Sequence, residues 1–282
     1  MEGRERAKLV AIQRRQQTKE LENTGNDANN DSGEGNEETL GTDNPVSEAK
    51  DRKRHGARNQ DRHKKFTRWI LQRFGHLLHV PPTTLSDDPI LSPTVLEVAG
   101  GKGELTARLS ICHKIRVVIC DPRKSDVAKC FEEVVFRSLP NKWQQGYQQK
   151  STANPNFIHE EIDQYVHQLV MRFDEYTVSQ CKDLEDAVKK ASLLIGMHAD
   201  GATEDIVNIA LRYNKPFVVV PCCVFPKLFA HRILVEDDGK EVPVRTHDQF
   251  CRYLHRKHDR FVVETLPFDG RNIAVWWDGK QR

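Results

Sequence analysis

The sequence predicts an α/β protein, a doubly wound and mostly parallel sheet of seven strands that ends in an antiparallel hairpin at its carboxyl end. Three observations predict it. Residues 94–123 read as strand, glycine turn, helix and second strand. After them apolar runs alternate with helical patterns, and the last two apolar segments, Arg260 to Leu266 and Asn272 to Trp277, are separated only by a turn through Pro267-Phe268-Asp269-Gly270. A connection that short requires one antiparallel strand in the sheet.

The first unit carries the strongest local signal. Val95, Leu96 and Val98 form an apolar run broken by Gly100, Gly101 and Gly103, after which Leu105 and Leu109 recur at helical spacing. A second apolar run, Val117 to Cys120, stops at Asp121. A glycine turn that opens a helix offers bare backbone to a ligand, and a carboxylate about 20 residues on can accept hydrogen bonds from ribose hydroxyls. The unit is therefore suited to an adenosine-type cofactor. A dinucleotide fingerprint begun at Gly101 would need a glycine where Thr106 stands, which speaks against a nicotinamide enzyme.

Ahead of this unit the composition changes sharply. Residues 1–22 are charged, with a thin apolar stripe of Leu9, Val10 and Ile12, and residues 22–49 hold no Lys or Arg and are mostly Asn, Asp, Gly, Glu, Ser and Thr. So polar a chain buries too little surface to offset the entropy of ordering, so residues 1–49 are expected to be disordered. From residue 50 the sign flips. Arg52, Lys53, Arg54, Arg58, Arg62, Lys64, Lys65 and Arg68 form a basic arm, either a phosphate-contacting or import segment or a solvated face that offsets the acidic tail. Within it Phe66, Trp69, Ile70, Phe74, Leu77 and Leu78 give an amphipathic helix, stopped before Pro81 and Pro82. The expected organisation is a tail over 1–49, an arm and helix over 50–80, and one α/β domain over 81–282.

Beyond Asp121 a helix with Val127, Phe131, Val134 and Val135 inward is expected to run toward Lys150, its polar tail over 141–156 forming a loop. Phe157-Ile158-His159 reads as a weak third strand, with Glu161 and Asp163 at its end, and helical pattern resumes from Ile162 to Phe173 and from Cys181 to Lys190. Ala191 to Met197 is a clear strand. A helix through Ile206, Ile209 and Leu211 follows, with Thr203 or Asp200 available as its cap. Pro216 to Phe225 is a continuous apolar run of the kind found in a strand covered on both faces, and Thr246 to His258 is a further helix with Phe250 and Leu254 inward.

Two sets of residues carry a family resemblance. Glu97, Ala99, Gly101 and Gly103 resemble the first motif of class I S-adenosylmethionine-dependent methyltransferases, acidic-x-Gly-x-Gly-x-Gly, with Ala99 at the first glycine. Met197-His198-Ala199-Asp200-Gly201-Ala202-Thr203 and Pro221-Cys222-Cys223 are similar to paired motifs of a superfamily that includes tRNA 2′-O-methyltransferases and the methyltransferase domain of glutathione-transferase-C-terminal-like proteins. Asp200 stands where that group has cysteine, and Val224 where its tRNA enzymes have histidine. The resemblance makes the domain over 81–282 methyltransferase-like and implies a Rossmann-like methyltransferase fold, S-adenosylmethionine as cofactor and an RNA acceptor. It places Glu97, Ala99, Gly100, Gly101, Gly103 and Asp121 at the cofactor, and Glu161 and Asp163 near its adenine. His198 would then act as general base and Asp200 would orient the acceptor. A catalytically inactive cofactor-binding or scaffold protein of the same fold, or a methyltransferase of a small molecule or protein, fits the same residues.

Composition adds little to this. With 43 Lys and Arg against 41 Asp and Glu, the net charge of +2 names no partner by itself. Seven cysteines without a Cys-x-x-Cys pattern suit a reducing compartment, and adjacent Cys222 and Cys223 read as packing, so no metal is expected. Without a leader or a long apolar run, a cytoplasmic or nuclear protein with no membrane contact is expected.

Overall fold

The computed structural model describes residues 61–78 and 95–280. The tail, the first part of the arm with Arg52, Lys53, Arg54 and Arg58, and the proline-rich linker lie outside the described residues. The first described element is helix α1 (Arg62–Leu78), then come strand β1 (Val95–Val98), helix α2 (Glu104–Ala107) continued by a π-helical turn over Arg108–Cys112, and strand β2 (Val117–Asp121). Next are helix α3 (Val127–Cys130), which runs through wider and tighter turns to Ser138, then α4 (Asn141–Ala153), α5 (Phe157–Tyr165), β3 (Val166–Val170), α6 (Glu175–Gln180) and α7 (Lys182–Lys190). The second half holds β4 (Leu193–Met197), α8 (Thr203–Arg212), β5 (Phe217–Val220), β6 (Ile233–Val235), β7 (Glu241–Pro243), α9 (His247–His255), β8 (Val262–Thr265) and β9 (Ile273–Trp277).

Seven strands form one sheet in the order β3-β2-β1-β4-β5-β9-β8. The first five are parallel to one another, whereas β9 lies antiparallel between β5 and β8. This is the Rossmann-like methyltransferase fold that the closing hairpin pointed to. The strand order reverses between β1 and β4, and ligands of open α/β sheets lie in the crevice beyond the carboxyl ends at such a point.

Alternation along the strands feeds three apolar clusters, one of them joining Ile119 and Val166 to Val127, Phe131 and Ile158, and the two larger ones lie on opposite faces of the sheet's centre. Leu96, Val98, Val118, Leu194 and Val219 pack with α7, α8 and α9, while Val95, Val117, Leu193, Ile195 and Val220 pack with α1. Helix α1 belongs to the second core. Phe66, Ile70 and Phe74 are fully buried, and Trp69 and Phe74 each meet Trp276 edge to face at 6.1 and 5.7 Å. The Trp69 indole and Arg73 donate to the two carboxylate oxygens of Glu264 on β8, each at 2.8 Å.

Several local expectations need correction. The polar stretch over 141–156 is mostly the helix α4, which has no buried residue and so shows no apolar stripe to read. It is held by the Tyr147 hydroxyl donating to the Ile111 carbonyl at 2.9 Å and by ring contact with Phe131. Phe157 to His159 is the start of α5 and not a strand, because Phe157, Ile158, Ile162 and Tyr165 fall on one helical face. The third strand is Val166–Val170, inside the stretch expected to be helical. As an edge strand it buries only Val166 and Leu169, which leaves a weak alternation. The backbone cap of α8 is Ala202, with no side-chain hydrogen bond, so neither Thr203 nor Asp200 caps it. The short β6–β7 ribbon was not anticipated, since its strands are three residues each and Leu234 alone is well buried.

Candidate functional site at the carboxyl edge of the sheet

The turn after β1 is shaped by backbone angles that side chains rarely adopt. Ala99, Gly101 and Gly103 have φ of 56°, 58° and 79°. A Cβ added at Gly100 would stand 2.6 Å from Ile119 Cδ1, whereas one at Gly101 would meet nothing within 4 Å. Gly100 is therefore glycine because the sheet lies against it, and Gly101 because the turn is left-handed and its outer side is open. The open side is where a ligand can lie against bare backbone.

Asp121 at the end of β2 ties the turn to the next loop. Its Oδ2 accepts the Gly101 N–H at 3.0 Å and its Oδ1 accepts the Arg123 N–H at 2.8 Å. Ser125 donates to the Gly101 carbonyl at 2.6 Å, and the Gln168 amide on β3 both accepts from and donates to the Ser125 backbone, at 3.0 and 2.9 Å. Ser125 and Gln168 were missed by the sequence reading. A lone glutamine within a weak strand gives no signal until β3 is seen to lie beside β2.

Glu97 is placed differently from its neighbours in the motif. It is 3% exposed, on the strand face turned to α2, where its Oε2 accepts the Thr106 hydroxyl. A Cβ on Gly100 would come within 3.0 Å of its carboxyl carbon, so Glu97 supports the turn from beneath. Burial raises its pKa to about 7, against the lowering effect of Thr106.

Glu161 and Asp163 are the residues that the fold moves away from the site. Both lie on α5, before β3 and not after it. Glu161 pairs with Lys114 in the turn leading into β2, at the amino end of that strand, and Asp163 is exposed. At the carboxyl end of β3 the chain continues into Met171, whose N–H donates to the Asp121 carbonyl at 3.1 Å.

The loops after β4 and β5 carry the rest of the site. His198 and Asp200 have φ of 56° and 45°, and Phe225 has 49°. The His198 N–H donates to the Val220 carbonyl at 3.0 Å, which fixes the loop to the end of β5. Burial lowers the imidazole pKa to about 4, and Arg62 and His63 on α1 act in the same direction. Asp200 is turned toward the second loop, where its Oδ1 accepts the Cys222 thiol at 3.0 Å, and Cys223 Sγ lies 3.5 Å from Cys222 Sγ. Burial and this carboxylate push both thiols upward from their ordinary value.

A buried ionic network sits behind this loop. Glu204 on α8 accepts from Arg232 at 2.6 Å, from the Tyr253 hydroxyl at 2.6 Å and from Lys257 at 2.8 Å. Although burial opposes it, Lys257, Tyr253 and Arg232 together hold the Glu204 pKa near about 2. Arg232 is 1% exposed, stacks on Phe229 and Phe250, and donates to the Val224 carbonyl at 2.9 Å. On the other side His247 Nε2 lies 2.9 Å from the Pro221 carbonyl. The loop that bears Cys222 and Cys223 is thus clamped at both ends. No spacing in the sequence announced the network, since Glu204 comes from α8, Arg232 from the residue before β6, Tyr253 from α9 and Lys257 from the turn after it.

The strand order and the antiparallel β9 define the Rossmann-like methyltransferase fold. Among solved structures the chain is similar to the methyltransferase domain of bacterial CtHen1, with 10% identity, 78% of this chain and 98% of that one covered, and a TM-score of 0.37. It is also similar to a mutant of MtNAS in complex with S-adenosylmethionine (13% identity, 66% and 54% covered, TM-score 0.31) and to the methyltransferase CalO6 (16%, 75% and 65%, 0.32). No protein-family model matches the chain. No curated protein sequence matches it either. Among the described residues no helix is long and apolar enough to cross a membrane.

Proposed function

We propose that the chain is an S-adenosylmethionine-dependent methyltransferase that acts on RNA. One observation carries the reading: the left-handed turn at Gly101 is open on its outer side while its N–H is held by Asp121, at the strand-order reversal of a sheet whose antiparallel β9 belongs to this fold. These residues fit the cofactor. Ala99, Gly100, Gly101 and Gly103 would supply backbone for its methionine end, and Asp121, each of whose oxygens already takes one backbone N–H, keeps lone pairs for ribose hydroxyls. When bound, the cofactor supplies a methyl group on a sulfonium centre.

The chain's own residues then have to place an acceptor and take its proton. His198 stands at the same edge and a ring nitrogen of its imidazole is assigned that proton, while Asp200 on the same loop is engaged by the Cys222 thiol and is not assigned to the acceptor. Arg62 and His63, at the start of α1 where the arm enters it, lie at this edge, because both act electrostatically on His198 and His63 pairs with Glu104 at 2.9 Å; Lys64, Lys65 and Arg68 follow on the same helix. A basic segment that enters at the reacting edge favours a polyanionic acceptor over a small apolar one.

The test begins with calorimetry of the full chain against S-adenosylmethionine, and Asp121→Ala should weaken binding at least about tenfold, or about 1.4 kcal/mol. Transfer of a labelled methyl group to total cellular RNA follows, and His198→Ala should lower it by roughly 10²- to 10⁴-fold without loss of cofactor binding. Cofactor binding with no label in any RNA, protein or small-molecule fraction would assign the chain to the non-catalytic reading. Absence of cofactor binding would remove both readings.

A further inference from the structure

We infer that Asp200, Cys222 and Cys223 form a binding site for a thiophilic divalent cation, with zinc as its physiological occupant. Their ligand atoms all lie within 4.8 Å of one another. Adjacent cysteines in a strand point to opposite faces. Residues 221–225 are not strand, and the left-handed Phe225 ends a loop in which both sulfurs turn to the same side, 3.5 Å apart.

The two separations that involve Cys222 suit one metal ion, and the third, from Asp200 to Cys223, lies within 4.8 Å. Two thiolates on a tetrahedral zinc, each at about 2.3 Å, stand roughly 3.8 Å apart, and a thiolate and a carboxylate oxygen about 3.5 Å. The observed 3.5 and 3.0 Å need only a few tenths of an ångström of opening. The Cys222–Asp200 hydrogen bond now holds the set together, and binding would replace it. Each thiol gives its proton to solvent, so the ion meets two thiolates and one carboxylate with overall charge of −1.

Two further features mark the site as built. The loop is clamped by Arg232 on the Val224 carbonyl and by His247 beside the Pro221 carbonyl, so its cysteines are presented without further ordering. The three ligands also occupy only three of four tetrahedral positions, the arrangement of zinc sites that bind water or substrate. Asp200, the exposed member of the set, opens the site to solvent at the carboxyl edge. The inference goes beyond the proposed methyl transfer and does not depend on it, because the ligands are defined whether or not a cofactor binds.

The test uses the full chain. Metal content after purification in zinc-containing medium should be one equivalent per chain. Cobalt substitution should give a thiolate-to-cobalt charge-transfer band, lost in Cys222→Ser and in Cys223→Ser, with visible bands of tetrahedral cobalt that shift in Asp200→Asn. Should those variants fail to fold, the wild-type chain still decides the matter: added zinc should protect two thiols from alkylation, and peptide mass mapping should place both at Cys222 and Cys223. Equal alkylation of that peptide in zinc and in chelator would overturn the inference. So would a native peptide two hydrogens lighter, which would show a Cys222–Cys223 disulfide in place of a metal site.

Discussion

At residue 101 the chain adopts a left-handed φ of 58° with open space outside it, whereas at residue 100 the sheet leaves no room for a methyl group. The two glycines therefore fail differently. Gly100→Ala should lower stability by about 1–3 kcal/mol through the clash with Ile119, read as a drop in melting temperature. Gly101→Ala should cost roughly 1–2 kcal/mol of backbone strain and, in addition, reduce S-adenosylmethionine affinity more than tenfold. A Gly101→Ala protein with unchanged affinity would place the cofactor elsewhere. Glu97 supplies a pH prediction. Its pKa is 4.5 when unfolded and about 7 in the folded chain, so between those values only the folded state holds the proton. Its contribution is full below pH 4.5 and is lost as pH rises through 7, a difference of order 3 kcal/mol at most. Glu97→Gln should therefore flatten the fall in melting temperature from pH 5 to pH 7.5.

The elements differ in how far their sequences announce them. Helix α1 is legible because Phe66, Trp69, Ile70 and Phe74 repeat at helical spacing, and the structure shows the same residues buried against Trp276. Trp69→Ala should cost about 3–5 kcal/mol in denaturant unfolding, since it removes both the ring contacts and the bond to Glu264. Helices α4 and α5 and strand β3 were misread for a common reason. They lie at the margin of the sheet, where burial is partial and the periodic signal is diluted by exposed residues. The Glu204 network on α8 is an element-scale feature with an acid signature. Its unfolded pKa is 4.5 and its folded value about 2, so the stabilisation is present above 4.5 and is lost as pH falls toward 2. Glu204→Gln should destabilise by about 3–5 kcal/mol at pH 7, because buried Arg232 loses its counter-charge. The difference from wild type should shrink in acid.

For the molecule as a whole, the proposed function predicts separable contributions from the arm and the sheet. Replacing Arg52, Lys53, Arg54 and Arg58 with serine should weaken RNA retention and reduce its salt slope by about 0.7 per charge that meets a phosphate, with cofactor affinity unchanged. Equal RNA retention at low salt would remove the arm from the acceptor side. The sequence by itself determined the α/β class, the glycine turn with Asp121, the antiparallel close and the inward face of α1, because each is encoded in neighbours close enough along the chain for periodicity or spacing to show it. Only the tertiary structure decided that Glu97 lies beneath the turn, that Glu161 sits on a helix before β3, and that Asp200 meets Cys222 and Cys223. Those facts depend on which strands lie side by side. That adjacency is set by the packing of both faces of one sheet, where residues far apart along the chain become neighbours.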